Sequence, residues 1–126
     1  MAATPTPREV SITIGEEEYL LTPSFQAIID IEQRTGKAIT AIIYAAQSSI
    51  ISFSDIVTIV WAGIKANYKA TKPAEMKNLP KWDDLAENIQ KVGFAKVLPG
   101  VLEFMVAVMN GSESIEGDSS GEKEKN

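Results

Sequence analysis

The most restrictive feature of the sequence is a run of apolar residues at helical spacing near its middle. Ser52, followed three residues later by Asp55, matches a capping box and predicts a helix start. At ~100° per residue, one side of this helix carries Phe53, Ile56, Val57, Val60, Trp61, Ile64 and Tyr68. The other side carries Thr58, Ala62, Lys65, Ala66 and Lys69. Gly63 lies beside the apolar side and predicts close approach of another backbone.

The segment before this helix predicts a β-hairpin. Val10, Ile12 and Ile14 alternate with polar residues, three glutamates follow Gly15, and Tyr19 begins a second apolar segment.

A first helix is expected to begin at Thr22-Pro23 and to end at Gly36, with an apolar face of Phe25, Ile28 and Ile29. Glu32 projects into that face. Two interpretations stay open: the carboxylate reaches water near Arg34 or Lys37, or it pairs with another helix or another subunit.

Three more helices complete the prediction. The first covers residues 38–47, with Ile39, Ile42, Ile43 and Ala46 directed inward. A basic, proline-containing connection follows over residues 70–81, with room for a helical turn. The next helix begins near Asp83-Asp84 and ends at Gly93, with Leu85, Ile89 and Val92 directed inward. The last covers residues 94–110 and is expected to bend at Pro99.

The last helix has an apolar arc of about 200°, whereas an ordinary surface helix needs ~100° or slightly more. It is therefore either central in its own domain or covered by a partner, and both alternatives stay open. Under the partner interpretation, the candidate contact residues are Val101, Leu102, Met105, Val106 and Met109, together with Glu32.

The expected fold class is mainly α (α+β), with an N-terminal β-hairpin followed by about five helices. A chain of 126 residues suits one domain. We expect a flexible arm over residues 1–8, a single helical domain over residues 9–110, and a disordered acidic tail over residues 111–126.

The composition removes several function classes. The chain has no cysteine and no histidine, which excludes thiolate and imidazole metal sites and Ser-His-Asp catalysis. Thr35-Gly36-Lys37 is better explained as a helix end than as a phosphate loop. The carboxylates of Glu16-Glu17-Glu18 are better explained as solvated charges, and those of Asp83-Asp84 as charges at a helix terminus, than as a metal site. A net charge of −5 disfavours nucleic acid, and no apolar run is long enough to cross a membrane. We expect no cofactor, no metal and no enzymatic activity; an enzyme with a carboxylate-bound metal is the least favoured alternative.

Residues 10–21, 25–37 and 54–64 together resemble the tail assembly chaperones of long-tailed phages, in the branch found in gene transfer agents and prophages. The resemblance covers roughly residues 10–70, and the sequence after Lys72 departs from the pattern. The positions of this sequence that match the family pattern are Gly15, Tyr19, Ala27, Ile31, Glu32, Gly36, Asp55, Ala62 and Gly63.

The resemblance implies a helical, non-enzymatic protein of the bacterial host cytoplasm that binds the tape measure protein and keeps it soluble during tail tube assembly. It also implies self-association into a homo-oligomer, possible contact with tail tube subunits, and absence from the mature virion. The alternative is a structural tail component, either a tail tube or a completion protein, of a phage or gene transfer agent.

Overall fold

The N-terminal part of the domain forms an antiparallel β-hairpin. The computed structural model describes residues 9–111, so the predicted arm and all of the predicted tail after Gly111 lie outside the described residues. Strand β1 (Val10–Ile14) pairs with β2 (Glu17–Leu21), with Val10 opposite Leu21. The apolar residues of β1 are buried and its polar residues exposed, as the alternation predicts. Gly15 begins the turn with φ +65°.

Five α-helices follow: α1 (Phe25–Thr35), α2 (Ile39–Gln47), α3 (Phe53–Thr71), α4 (Trp82–Val92) and α5 (Phe94–Asn110). A short 3-10 helix (Pro73–Asn78) lies between α3 and α4 and supplies the helical turn expected there. The predicted fold class, mainly α with an N-terminal hairpin, is confirmed.

The predicted start and buried face of α1 are wrong. Ser24 caps the helix, because its hydroxyl accepts a hydrogen bond from the Ala27 N–H, while the backbone of Thr22 is bound to α3. Of the three residues of the predicted face, Phe25 is 75% exposed and Ile29 is 38% exposed, whereas Ile28 is half-buried. The buried residues of α1 are Ala27 and Ile31, which pack toward α3. The small Ala27 side chain lets the two helices come close, and this turns the larger Phe25 and Ile29 toward solvent.

Helix α3 is the centre of the domain. It packs against β2, α1, α4, α5 and the 3-10 helix. Thr58, Ala62 and Ala66, which the sequence pattern assigned to the outer side, are therefore buried as well. The prediction of a one-sided helix is wrong because elements cover α3 on several sides.

The glycine in α3 makes the close approach that was predicted. A Cβ at Gly63 would lie 2.6 Å from Cγ of Leu21 and 2.7 Å from its Cβ. The Thr22 N–H donates a hydrogen bond to the Gly63 carbonyl at 3.1 Å. The end of β2 is thus held directly against the backbone of α3.

The C-terminal helices form the other side of the core. Leu85 and Ile89 of α4 are buried and Gly93 ends that helix, as predicted. Helix α5 runs unbroken past Pro99, and the main change of direction, 119° between α4 and α5, occurs at Gly93. Within residues 9–111, no single helix has the length and apolarity needed to span a membrane. Helices α4 and α5 have that length and apolarity only when they are counted together, and they are bent relative to each other.

Candidate protein-binding surface

The described part of the domain exposes seven large apolar side chains, in α1, in α2 and the loop after it, and in α5. They are Phe25, Ile29, Tyr44, Ile50, Phe94, Val106 and Met109. Each of these side chains offers apolar area that contact with another chain would remove from water.

The predicted partner residues of α5 are divided between core and surface. Val101 and Met105 are 0% and 1% exposed, because this face of α5 packs against β1, α2, α3 and α4. Leu102 is half-buried, whereas Val106 and Met109 are 43% and 50% exposed. One part of the wide apolar arc of α5 is therefore buried in the domain core, and the other part faces solvent.

Glu32 forms a hydrogen bond within the chain. Its carboxylate oxygen Oε2 accepts the backbone N–H of Ile39 at 2.8 Å, at the first residue of α2. Ala38, the residue before that helix, offers no capping side chain. The negative carboxylate of Glu32 therefore caps α2 from the end of α1, where it also complements the positive end of the helix dipole.

The connection from α1 to α3 is fixed by a second charged group. Gly36 ends α1 with φ +72°, and Lys37 then extends to Asp55, with Nζ and Oδ2 2.6 Å apart. Asp55 is buried, and its backbone N–H donates a hydrogen bond to the Ser52 hydroxyl. This bond confirms the first of the two interactions of the predicted capping box. Lys37 is thus an internal ion-pair partner here, which agrees with a helix end rather than a phosphate loop.

A groove of about 230 Å³ lies between α1 and the C-terminal half of α3. Its apolar lining includes Phe25, Ala66 and Ala70. Lys65 spans the groove and pairs with Asp30 at 3.2 Å. A second depression continues from Asp30 to Arg34 and Trp61. The two depressions share Asp30, and we call them together the α1–α3 seam, defined by Phe25, Asp30, Arg34, Trp61, Lys65, Ala66, Lys69 and Ala70.

One end of the seam is a cluster of cations and aromatic rings. The Arg34 guanidinium carbon lies 4.8 Å from the ring centroid of Trp82 and 5.6 Å from that of Trp61. Lys65 Nζ lies 5.1 Å from the Trp61 ring. The Trp82 indole N–H donates to the Thr58 hydroxyl at 3.0 Å. Cation–π contacts of this kind hold α1 to α3 and α4.

No local sequence pattern predicts this cluster. Its members come from three different helices, and no local spacing connects them. The available signal was compositional: both tryptophans of the chain belong to it.

A separate depression near the hairpin has a mixed polar and apolar lining that includes Tyr19, Tyr68 and Lys72. The pKa of the Tyr19 phenol is raised, mainly by burial and further by the charge of Glu17 and the nearby Tyr68. Within residues 9–111, no three acidic side chains converge as they would around a metal ion. The two predicted acidic clusters lie at the hairpin turn and β2, and in the first turn of α4.

Comparison with known families identifies the family of this chain. Residues 8–105 match the family model described as phage tail tube protein, GTA-gp10. The chain belongs to this family. It is therefore a tail-related protein of phages or gene transfer agents. No curated protein and no solved structure matches the chain.

The matched stretch includes the hairpin and extends into α5, well beyond the residues that carry the chaperone resemblance. The family description names a tail tube protein, so by itself it fits the structural alternative better than the chaperone.

Proposed function

We propose that the chain acts as a tail assembly chaperone, which binds the tape measure protein and keeps it soluble while the tail tube assembles. The observation that carries the proposal is the exposure of large apolar side chains on the helices of a small domain. Binding by such a surface needs no bond to be made or broken, so the proposed role is not enzymatic.

The strand content also supports this role. In the described part of the chain, the sheet has two strands of five residues each. One face of β1 is buried in the protein's own core against α5. A tube wall built from β-strands needs a longer and wider sheet, which these residues do not supply.

The size of the exposed groups suits reversible binding. Full burial of one large apolar side chain contributes roughly 1.5–3 kcal/mol, and Val106 and Met109 are about half exposed, so each can add about half of that. Association itself costs several kcal/mol. Burial of several of the seven exposed side chains is therefore needed to offset this cost, and the remaining margin is small enough for tube subunits to displace the chaperone.

The second candidate is a structural component of the tail, and the family description favours it. Under this alternative the exposed apolar groups form contacts between neighbouring subunits in the finished particle. Self-association is part of both candidates and is measured by light scattering of the purified chain.

Mass spectrometry of purified particles separates the two candidates. A chaperone is expected in the lysate of producing cells and absent from finished tails. Its presence in the particle at a copy number similar to that of the tube subunits would overturn the chaperone proposal. Co-expression with the tape measure protein is the second test: the soluble fraction of that protein should rise in the presence of this chain.

A further inference from the structure

We propose that the α1–α3 seam binds an acidic amphipathic helix of another protein. This inference deepens the proposed function and rests on it for the identity of the partner, because the helix would belong to the client protein. The shape and charge of the seam define the chemistry of that helix.

The apolar part of the seam is shaped for side chains rather than for a small ligand. Phe25 stands 75% exposed at the first residue of α1, beside Ala66 and Ala70 of α3. The groove volume of about 230 Å³ falls below the ~300–1,000 Å³ of typical small-molecule sites. A helix laid along the seam could place apolar side chains against Phe25 at i, i+3 and i+4 spacing.

The charge of the seam is opposite to that of the whole chain. The chain has a net charge of −5, yet the seam contains Arg34, Lys65 and Lys69 against the single acid Asp30. Lys65 and Asp30 already pair with each other. The remaining positive charges, Lys69 and Arg34, lie toward opposite ends of the seam.

Both remaining cations are available to a partner. Lys69 is exposed and has no ion pair among residues 9–111. Arg34 is exposed, and in the part of the chain that the structure describes its guanidinium contacts two aromatic rings but donates no hydrogen bond. A guanidinium that stacks on rings can still bind a carboxylate through its N–H groups. The complementary partner therefore has carboxylates at both ends of a short apolar face.

The length of the seam sets the length of the partner. Phe25, which lies in the same groove as Lys69, is nine residues before Arg34 on α1. At 1.5 Å per residue this distance is about 14 Å. A partner helix of about three turns can therefore reach both cations at once.

The probe for the test is a fluorescein-labelled helical peptide of about 14 residues, with leucines on one face and glutamates toward both ends. Its control carries lysine in place of every glutamate. Binding to the full chain is measured by fluorescence anisotropy at low and at high salt. We expect the acidic peptide to bind, its affinity to fall with salt, and the basic peptide to bind at least ~10-fold more weakly.

Variants of the chain locate the site. Lys69→Glu and Phe25→Ser should each weaken binding of the acidic peptide by about 5-fold or more. Both residues are exposed, so these variants should keep the fold. Matched controls are Lys96→Glu, an exposed lysine of α5, and Lys77→Glu, an exposed lysine of the 3-10 helix. The controls should change binding less than ~2-fold.

The result that overturns the inference is an acidic peptide that does not bind, or that binds the Lys69→Glu and Phe25→Ser variants as tightly as the original chain. Equal binding of the basic peptide would overturn it as well. The proposed function is tested separately by particle composition and client solubility. If the chain solubilises its client while the seam variants lose nothing, the seam inference fails and the chaperone proposal stands.

Discussion

Replacing Gly63 by alanine tests the packing of the hairpin on the central helix. The added Cβ would lie 2.6–2.8 Å from three atoms of Leu21, namely Cγ, Cβ and Cδ2, where ordinary contacts are 3.4–4 Å. Leu21 is 0% exposed, and the next residue is hydrogen-bonded to the Gly63 carbonyl. Because Cβ of Leu21 is attached to the backbone, a change of rotamer cannot remove the clash, and the end of β2 must move.

The free energy of unfolding should fall by about 1–3 kcal/mol. Overpacking of a core costs ~1–3 kcal/mol, and disruption of the hydrogen bond from Thr22 costs a further ~1 kcal/mol. Alanine recovers ~1 kcal/mol through its higher helix propensity. The steric terms are larger, so the net effect is destabilising.

Gly100→Ala is the matched control, because Gly100 is also inside a helix and meets one buried side chain. There the added Cβ would lie 2.5 Å from Cγ1 and 2.9 Å from Cδ1 of Ile12, whereas Cβ of Ile12 is 3.7 Å away. Only the outer part of Ile12 must move. Gly100→Ala should therefore destabilise the domain less than Gly63→Ala.

Urea unfolding, followed by tryptophan fluorescence and circular dichroism, measures both variants. A double-mutant cycle with Leu21→Ala completes the test. Leu21→Ala removes Cγ and Cδ2, two of the three clashing atoms, and leaves Cβ in place, so the two changes should compensate each other in part, by about 1 kcal/mol. Additivity within ~0.5 kcal/mol, or a more stable Gly63→Ala variant, would refute the packing argument.

Three further predictions concern other parts of the domain. Glu32→Leu removes the cap of α2 and should lower the free energy of unfolding by ~1–2 kcal/mol, whereas Glu32→Gln keeps an acceptor and should lose less; urea titrations compare them, and equal stabilities would contradict the capping role. Burial raises the pKa of Tyr19, so the folded state favours the neutral phenol; stability is full below the unfolded pKa of ~10 and falls as pH rises above it, and Tyr19→Phe should make urea midpoints between pH 9 and 11 fall less. Val106→Ser with Met109→Ser should change stability by less than ~0.5 kcal/mol per site yet reduce recovery of soluble tape measure protein on co-expression; unchanged recovery would exclude this end of α5 from client binding.

Local sequence patterns predicted the elements and most of their ends. The alternation in β1, the Ser52 cap and the glycine at position 36 each depend on residues within one turn or one strand. Such signals are local in the chain, so the sequence alone is sufficient for them.

Patterns could not show which helix is central. Thr58, Ala62 and Ala66 have small side chains and resemble an outward face, yet they are buried because neighbouring elements pack close to them. The same limit explains Phe25, which has the apolarity of a core residue but lies at the exposed edge of the contact between α1 and α3. Burial at these positions is decided by tertiary packing.

The candidate site was predictable only in part. Val106 and Met109 are exposed, whereas Val101 and Met105 of the same predicted set fill the core. The seam depends on pairs such as Lys65 with Asp30, which are far apart in sequence.

The packing of Ile12 against Gly100 has a consequence for synthesis of the protein. Strand β1 is translated early, but its neighbour α5 is translated last among the described elements. The nascent chain therefore carries the apolar face of β1 without its final cover until α5 has left the ribosome. Completion of the fold therefore waits for synthesis of α5, and a ribosome that stalls before α5 leaves an unfinished domain prone to aggregation.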